Sequence, residues 1–159
     1  MHNGEAIKSL NQLLQGEYMA VESFNNFLSR LDEENVRQVF KEVQKQHREN
    51  ISRLASYIQD IGGKPEENLG LKRKMGEIKI NMDLGSHPDT AKIIEKAIEG
   101  KTQGVNMAEK VLRGNLDDRS RDVVGEILNN DRKSIEKLKS LLKSITDNRD
   151  ISYSILIVQ

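Results

Sequence analysis

The chain has 159 residues, with 25 basic and 25 acidic side chains in balance and no cysteine. That excludes disulfides, thiol catalysis and cysteine-based zinc sites, and a neutral chain has no general pull toward nucleic acid or an anionic membrane. Hydrophobic residues make up 36% and charged residues 31%, the balance of helices with one apolar stripe and wet outer faces.

The first predicted helix covers about 5–31. Leu10, Leu13, Leu14, Val21, Phe24, Phe27, Leu28 and Leu31 recur at three- and four-residue spacing and make one apolar face. A short turn follows, in which Asp32 is placed to cap the second helix, predicted over about 34–61. Its stripe is Val36, Val39, Phe40, Val43, Ile51, Leu54, Ile58 and Ile61, and Gly62, Gly63 and Pro65 end it. So short a turn makes the two helices an antiparallel hairpin.

Residues 64–88 read as a long crossover, with a short helix between Leu69 and Met82 and a basic cluster, Lys72, Arg73 and Lys74, on a solvated face. The third helix is expected over about 89–112 and the fourth over about 119–145, with Gly114 between them and Asn115 or Asp117 as the cap. Residues 147–159, ending in ISYSILIVQ, are too short to span a bilayer. They read as a strand-like arm or a frayed end, outside a bundle of 1–146. No leader pattern is seen at the start, so a cytoplasmic setting is expected.

The two hairpins resemble each other. Leu10 falls on Ile94, Gly16 on Gly100, Val21 on Val105 and Leu28 on Leu112, which puts Glu17 opposite Lys101. For the second and fourth helices, Phe40 set on Ile127 puts Gln44 on Asp131 and His47 on Ser134. Each stripe is broken near its middle by a polar residue: Glu17, then His47 with Gln44, then Lys101, then Asp131 with Ser134. Packed in a bundle, these meet in one layer, where buried charges need partners or a metal.

This arrangement resembles the ferritin-like superfamily of diiron-carboxylate proteins, and within it a bacterial family classed as a domain of unknown function. The segments that carry the resemblance are LLQGEYMAVESF and EVQKQHRENISRL. It implies an all-α fold, a ferritin-like four-helix bundle of two antiparallel hairpins joined by a long crossover. In the complete superfamily site each hairpin supplies a Glu from its first helix and Glu-x-x-His from its second. Glu17 and His47 then match ligands. Gln44 and Lys101 stand where glutamates belong, Asp131 is a shortened carboxylate, and Ser134 replaces a histidine.

A lysine ammonium has no lone pair for a metal. At that position it removes a ligand, repels a cation, and is expected to pair with Glu17 and Asp131 in the metal's stead. Alternatively Lys101 snorkels to solvent, and His47 is either a hydrogen-bonded core histidine or a ligand. The expected function is a non-catalytic bundle with a degenerate diiron site, a structural, interaction or stress-related protein with no cofactor. The alternative is a divergent iron-binding protein holding iron or another divalent metal on Glu17, His47 and Asp131. No nucleic-acid or membrane partner is expected; a homo-oligomer is open.

Overall fold

A computed structural model describes residues 3–67, 84–85 and 88–158, with backbone alone at 3 and from 149 onward. Four helices appear in it: α1 (Asn3–Ser29), α2 (Glu34–Asp60), α3 (Thr90–Leu112) and α4 (Asp118–Val158). Contacts join α1 to α2, α3 to α4, α1 to α3 and α2 to α4, so two antiparallel hairpins lie side by side around one core. The expected short helix and basic cluster of the crossover, and His2 and His87, lie outside the described residues. Among those described, no helix is long and apolar enough to cross a membrane.

Local chemistry sets the helix ends. Glu33, not Asp32, is the N-cap residue of α2, and it makes no side-chain cap bond. The turn is instead tied by Arg37, whose guanidinium donates to the carbonyls of Leu28 and Leu31 at the end of α1. Arg121 does the same for the second hairpin, donating to the carbonyls of Leu112, Gly114 and Leu116. At the end of α2 the Gly63 N–H bonds back to Ile58 and the Gly62 N–H to Gln59, a termination that needs the left-handed backbone Gly62 adopts at φ 87°. Asp89 caps α3 through the Lys92 N–H, and Asp117 caps α4 through the Ser120 N–H.

The core forms two apolar clusters. One gathers Leu10, Leu14, Leu54, Ile58, Val124 and Ile127; the other gathers Phe24, Phe27, Phe40, Val36, Ile94 and Leu138. The crossover begins at the first, where Asn11 and Gln15 bond the backbone of Lys64 and Glu66. It returns at the second, where Leu84 is buried and Arg30 donates to the Gly85 carbonyl. The expectation of a tail from 147, strand-like or frayed, is corrected: α4 continues without a break to Val158. No proline or glycine after Ile145 stops it.

The burial pattern also corrects the register of the internal repeat. Val36, Phe40, Val43, His47, Asn50 and Leu54 are buried on α2; Ser120, Val124, Ile127, Asp131, Ser134 and Leu138 are buried on α4 with the same spacing. Arg37 and Arg121 fall together in this register too, and it is the one that joins Glu17 to Lys101. Asp131 is therefore the counterpart of His47, Leu128 of Gln44, and Ser134 of Asn50. The register expected from Phe40 on Ile127 would set buried Asn50 against exposed Lys137.

Candidate functional site

Between the two apolar clusters, each helix sends a polar side chain inward: Glu17 from α1, His47 and Asn50 from α2, Lys101 from α3 and Asp131 from α4. None exposes more than 7% of its surface. Lys101 does not snorkel; its Nζ lies 2.9 Å from His47 Nε2 and 3.4 Å from Asp131 Oδ1. An ammonium only donates, so Nε2 is the acceptor and the ring proton sits on Nδ1. That proton is donated to Glu17 Oε2 at 2.5 Å. Lys101 thus pairs directly with Asp131, one of its two expected carboxylate partners, and reaches the other, Glu17, through the imidazole.

Asn50, which the sequence reading left out, completes the layer. Its amide donates to Glu17 Oε2 and Asp131 Oδ1, each at 3.4 Å, and its oxygen accepts from Gln46 and Asn130. The signal was the seven-residue step from Val43 to Asn50 to Tyr57, all buried. Gln44 is buried but turned away, donating to the Val21 carbonyl and to Asn25 Oδ1. Ser134 is buried on α4 as the counterpart of Asn50.

Burial dominates the electrostatics. It raises Glu17 to about 7, against the lowering pull of Lys101 and Asn50. It raises Asp131 to about 6, helped by the charge of Glu17 and opposed by Lys101. Burial and Lys101 together push His47 down to about 3, so its ring is neutral. Burial also lowers Lys101, while Asp131 and Glu17 hold its proton on. One lysine charge offsets one carboxylate, and the other carboxyl, Glu17, keeps a proton until neutrality.

A pH dependence follows. The folded state retains carboxyl protons that the unfolded chain releases near pH 4, so their stabilisation fades as pH rises through about 6 to 7. His47, depressed in the fold, opposes this only below its ordinary value of 6.5. The protein should be about 1 kcal/mol less stable at pH 8 than at pH 6. Glu17→Gln should abolish that loss, as read by denaturant unfolding at the two pH values.

The layer is not sealed on every side. A cleft of about 140 Å³ opens between α1 and α3, with Glu17, His47, Lys101 and Asp131 at its floor. The sequence also matches, over residues 5–114, the family described as Domain of unknown function (DUF2383). The chain belongs to that family. In this DUF2383 protein the matched span holds Glu17, His47, Asn50 and Lys101, while Asp131 comes from the helix beyond it.

Solved structures support the fold. A dodecameric thioferritin, the bacterioferritin-related protein from Bacteroides fragilis, matches with a TM-score of 0.78 at 17% identity, over 94% of this chain and 91% of that one. A ferritin-like, diiron-carboxylate protein from Bacillus anthracis matches with a TM-score of 0.65 at 21% identity, over 89% and 99%. A two-domain protein from Anabaena variabilis, with DJ-1/ThiJ/PfpI-like and ferritin-like domains, matches with a TM-score of 0.74 at 19% identity. The match covers 92% of this DUF2383 chain and 38% of the two-domain chain. No curated protein matches. The fold is that of the ferritin-like four-helix bundle.

Proposed function

We propose that this is a non-catalytic ferritin-like protein, structural or interaction-based, in which Lys101 takes the place of the metal ions of the diiron-carboxylate proteins. The observation that carries the reading is the Lys101 ammonium at 2.9 Å from His47 Nε2. It occupies the lone pair through which a histidine binds a metal. The donor set does not fit a two-metal centre. Gln44 faces Val21 and Asn25, its counterpart Leu128 has no ligand atom, and the layer's two carboxyls share their space with a fixed cation. The layer is degenerate in this sense, and its members act as one hydrogen-bonded tie among four helices.

A second reading has one observation in its favour. The ligand atoms of Glu17, His47 and Asp131 all lie within 4.8 Å of one another, the spacing of a site for one divalent ion, iron or another, once Lys101 is displaced. Metal analysis separates the two. Protein purified without chelators or a metal-binding tag should carry far less than one metal per chain and oxidise Fe²⁺ no faster than buffer. Stoichiometric iron with ferroxidase activity sinks the first reading.

A cytoplasmic setting fits a cysteine-free chain, and a stress-related role rests on fold analogy alone. Self-association is part of the proposal, by analogy with the dodecameric Bacteroides neighbour; light scattering on the full chain tests it, and a monomer at all concentrations removes it.

A further inference from the structure

The four helices do not end together. Asp131 of α4 lies level with Lys101 of α3 and Asn50 of α2. From that level α3 reaches back to its start at Thr90 and α2 to Glu34, while α4 runs past both to Val158. Leu141, Leu142 and Ile145 still pack on the second apolar cluster, whereas Thr146, Asp147 and Asn148 are exposed. Residues 146–158 therefore extend α4 roughly 20 Å beyond the bundle, at 1.5 Å per residue.

The end of this extension, residues 151–158, reads ISYSILIV. Ile151, Ile155 and Val158 share one stripe, with Tyr153, Leu156 and Ile157 beside it. So short and β-branched a helix is not stable alone in water, and a helix apolar on most sides belongs in a buried setting. It is too short to span a bilayer. The residues before it carry Asp147 and Asp150 against Arg149, so no cationic flank draws it to an anionic membrane.

A surface that fits it lies on the same fold. The cleft between α1 and α3 has apolar walls, Ala20, Phe24, Ala97 and Met107. Gly100 and Gly104 leave its mouth open, with nothing within 4 Å of an added Cβ, so a second helix can come close. The cleft measures about 140 Å³. A core leucine cut to alanine leaves roughly 150 Å³, so the cleft has room for one branched aliphatic side chain. We propose that the α4 extension of one chain docks in the α1–α3 cleft of a second copy. The two features cannot meet within one chain, because α4 carries the extension away from the bundle while the cleft opens back at the level of Lys101. Each chain gives one extension and receives one, a heterologous contact that closes into a ring where the rotation allows and otherwise runs on as a filament. The inference rests on the self-association proposed above and supplies its surfaces.

Analytical ultracentrifugation of the full-length chain tests this with two variants. Ile155→Asp together with Leu156→Asp puts charge on the extension, beyond the packed core. Gly104→Trp fills the cleft mouth from an exposed helix position; Gly104→Leu serves if the tryptophan disturbs folding, which circular dichroism checks. Each variant alone should associate at least about thirtyfold more weakly than the native chain, the loss of one buried hot spot. Mixed, the two should form a one-to-one complex, since the first keeps its cleft and the second its extension. A cleft variant that assembles like the native chain overturns the inference and leaves extension pairing with extension. An extension variant that does so overturns it as well, as does a mixture that stays monomeric, and in these cases the self-association of the native chain still stands. A native chain that is monomeric at all concentrations removes both, and its binding to neutral phosphatidylcholine vesicles would name a lipid surface as the occupant instead.

Discussion

Lys101→Met should destabilise the fold by about 3–5 kcal/mol, the cost of removing one partner from a buried charge pair. Methionine fills the space and keeps the helix, so the loss reports the ammonium rather than a cavity. Asp131 would lose its cation at 3.4 Å and His47 its donor at 2.9 Å. Part of the cost returns if Asp131 takes up a proton, which its raised value of about 6 already favours. The variant should therefore lose least at acid pH, and denaturant unfolding at pH 5 and pH 8 reads the difference. A neutral Lys101→Met at both pH values would mean that ordered water, not the lysine, satisfies the layer.

Lys101→Glu should be less stable still without metal and partly rescued by Fe²⁺ or Zn²⁺. It puts three carboxyls, from positions 17, 101 and 131, around a neutral imidazole and leaves no cation among them. A divalent ion that binds only the folded state adds about 2.7 kcal/mol at a hundredfold excess over its Kd. The melting temperature of Lys101→Glu should rise with metal while that of the native protein stays put. A native protein stabilised by the same metal to the same degree would show that Lys101 gives way, and would favour the single-ion reading.

The fold was legible because its signals are redundant: apolar spacing, a glycine stop after Ile61, and a second hairpin that repeats the first. The layer was legible in part, since Glu17, His47, Lys101 and Asp131 each interrupt a stripe. What misled was self-similarity between periodic helices. Phe40 matches Ile127 as well as it matches Val124 by residue type, and only burial separates the registers: Asn50 is buried and Lys137 exposed. That slip hid the kinship of Asn50 with Ser134 and made Asp131 look like a shortened glutamate. Asn50 was also missed because asparagine has no charge to flag. The cap was missed because Arg37 satisfies the turn from the far side, where a local Asp32 bond was the simpler expectation.

A polar layer drawn from all four helices has a consequence for how the chain finds its fold. An apolar four-helix stripe is nearly degenerate toward sliding, since leucine against valine differs little from leucine against isoleucine. Here a shift of any one helix by two turns would set Lys101 or Asp131 against a greasy neighbour and strand its partner, at several kcal/mol. Asp131 and Lys101 pair within one hairpin and Glu17 and His47 within the other, so each hairpin carries its own register mark, and the bonds from Lys101 to His47 and from Asn50 to Asp131 set the register between the two.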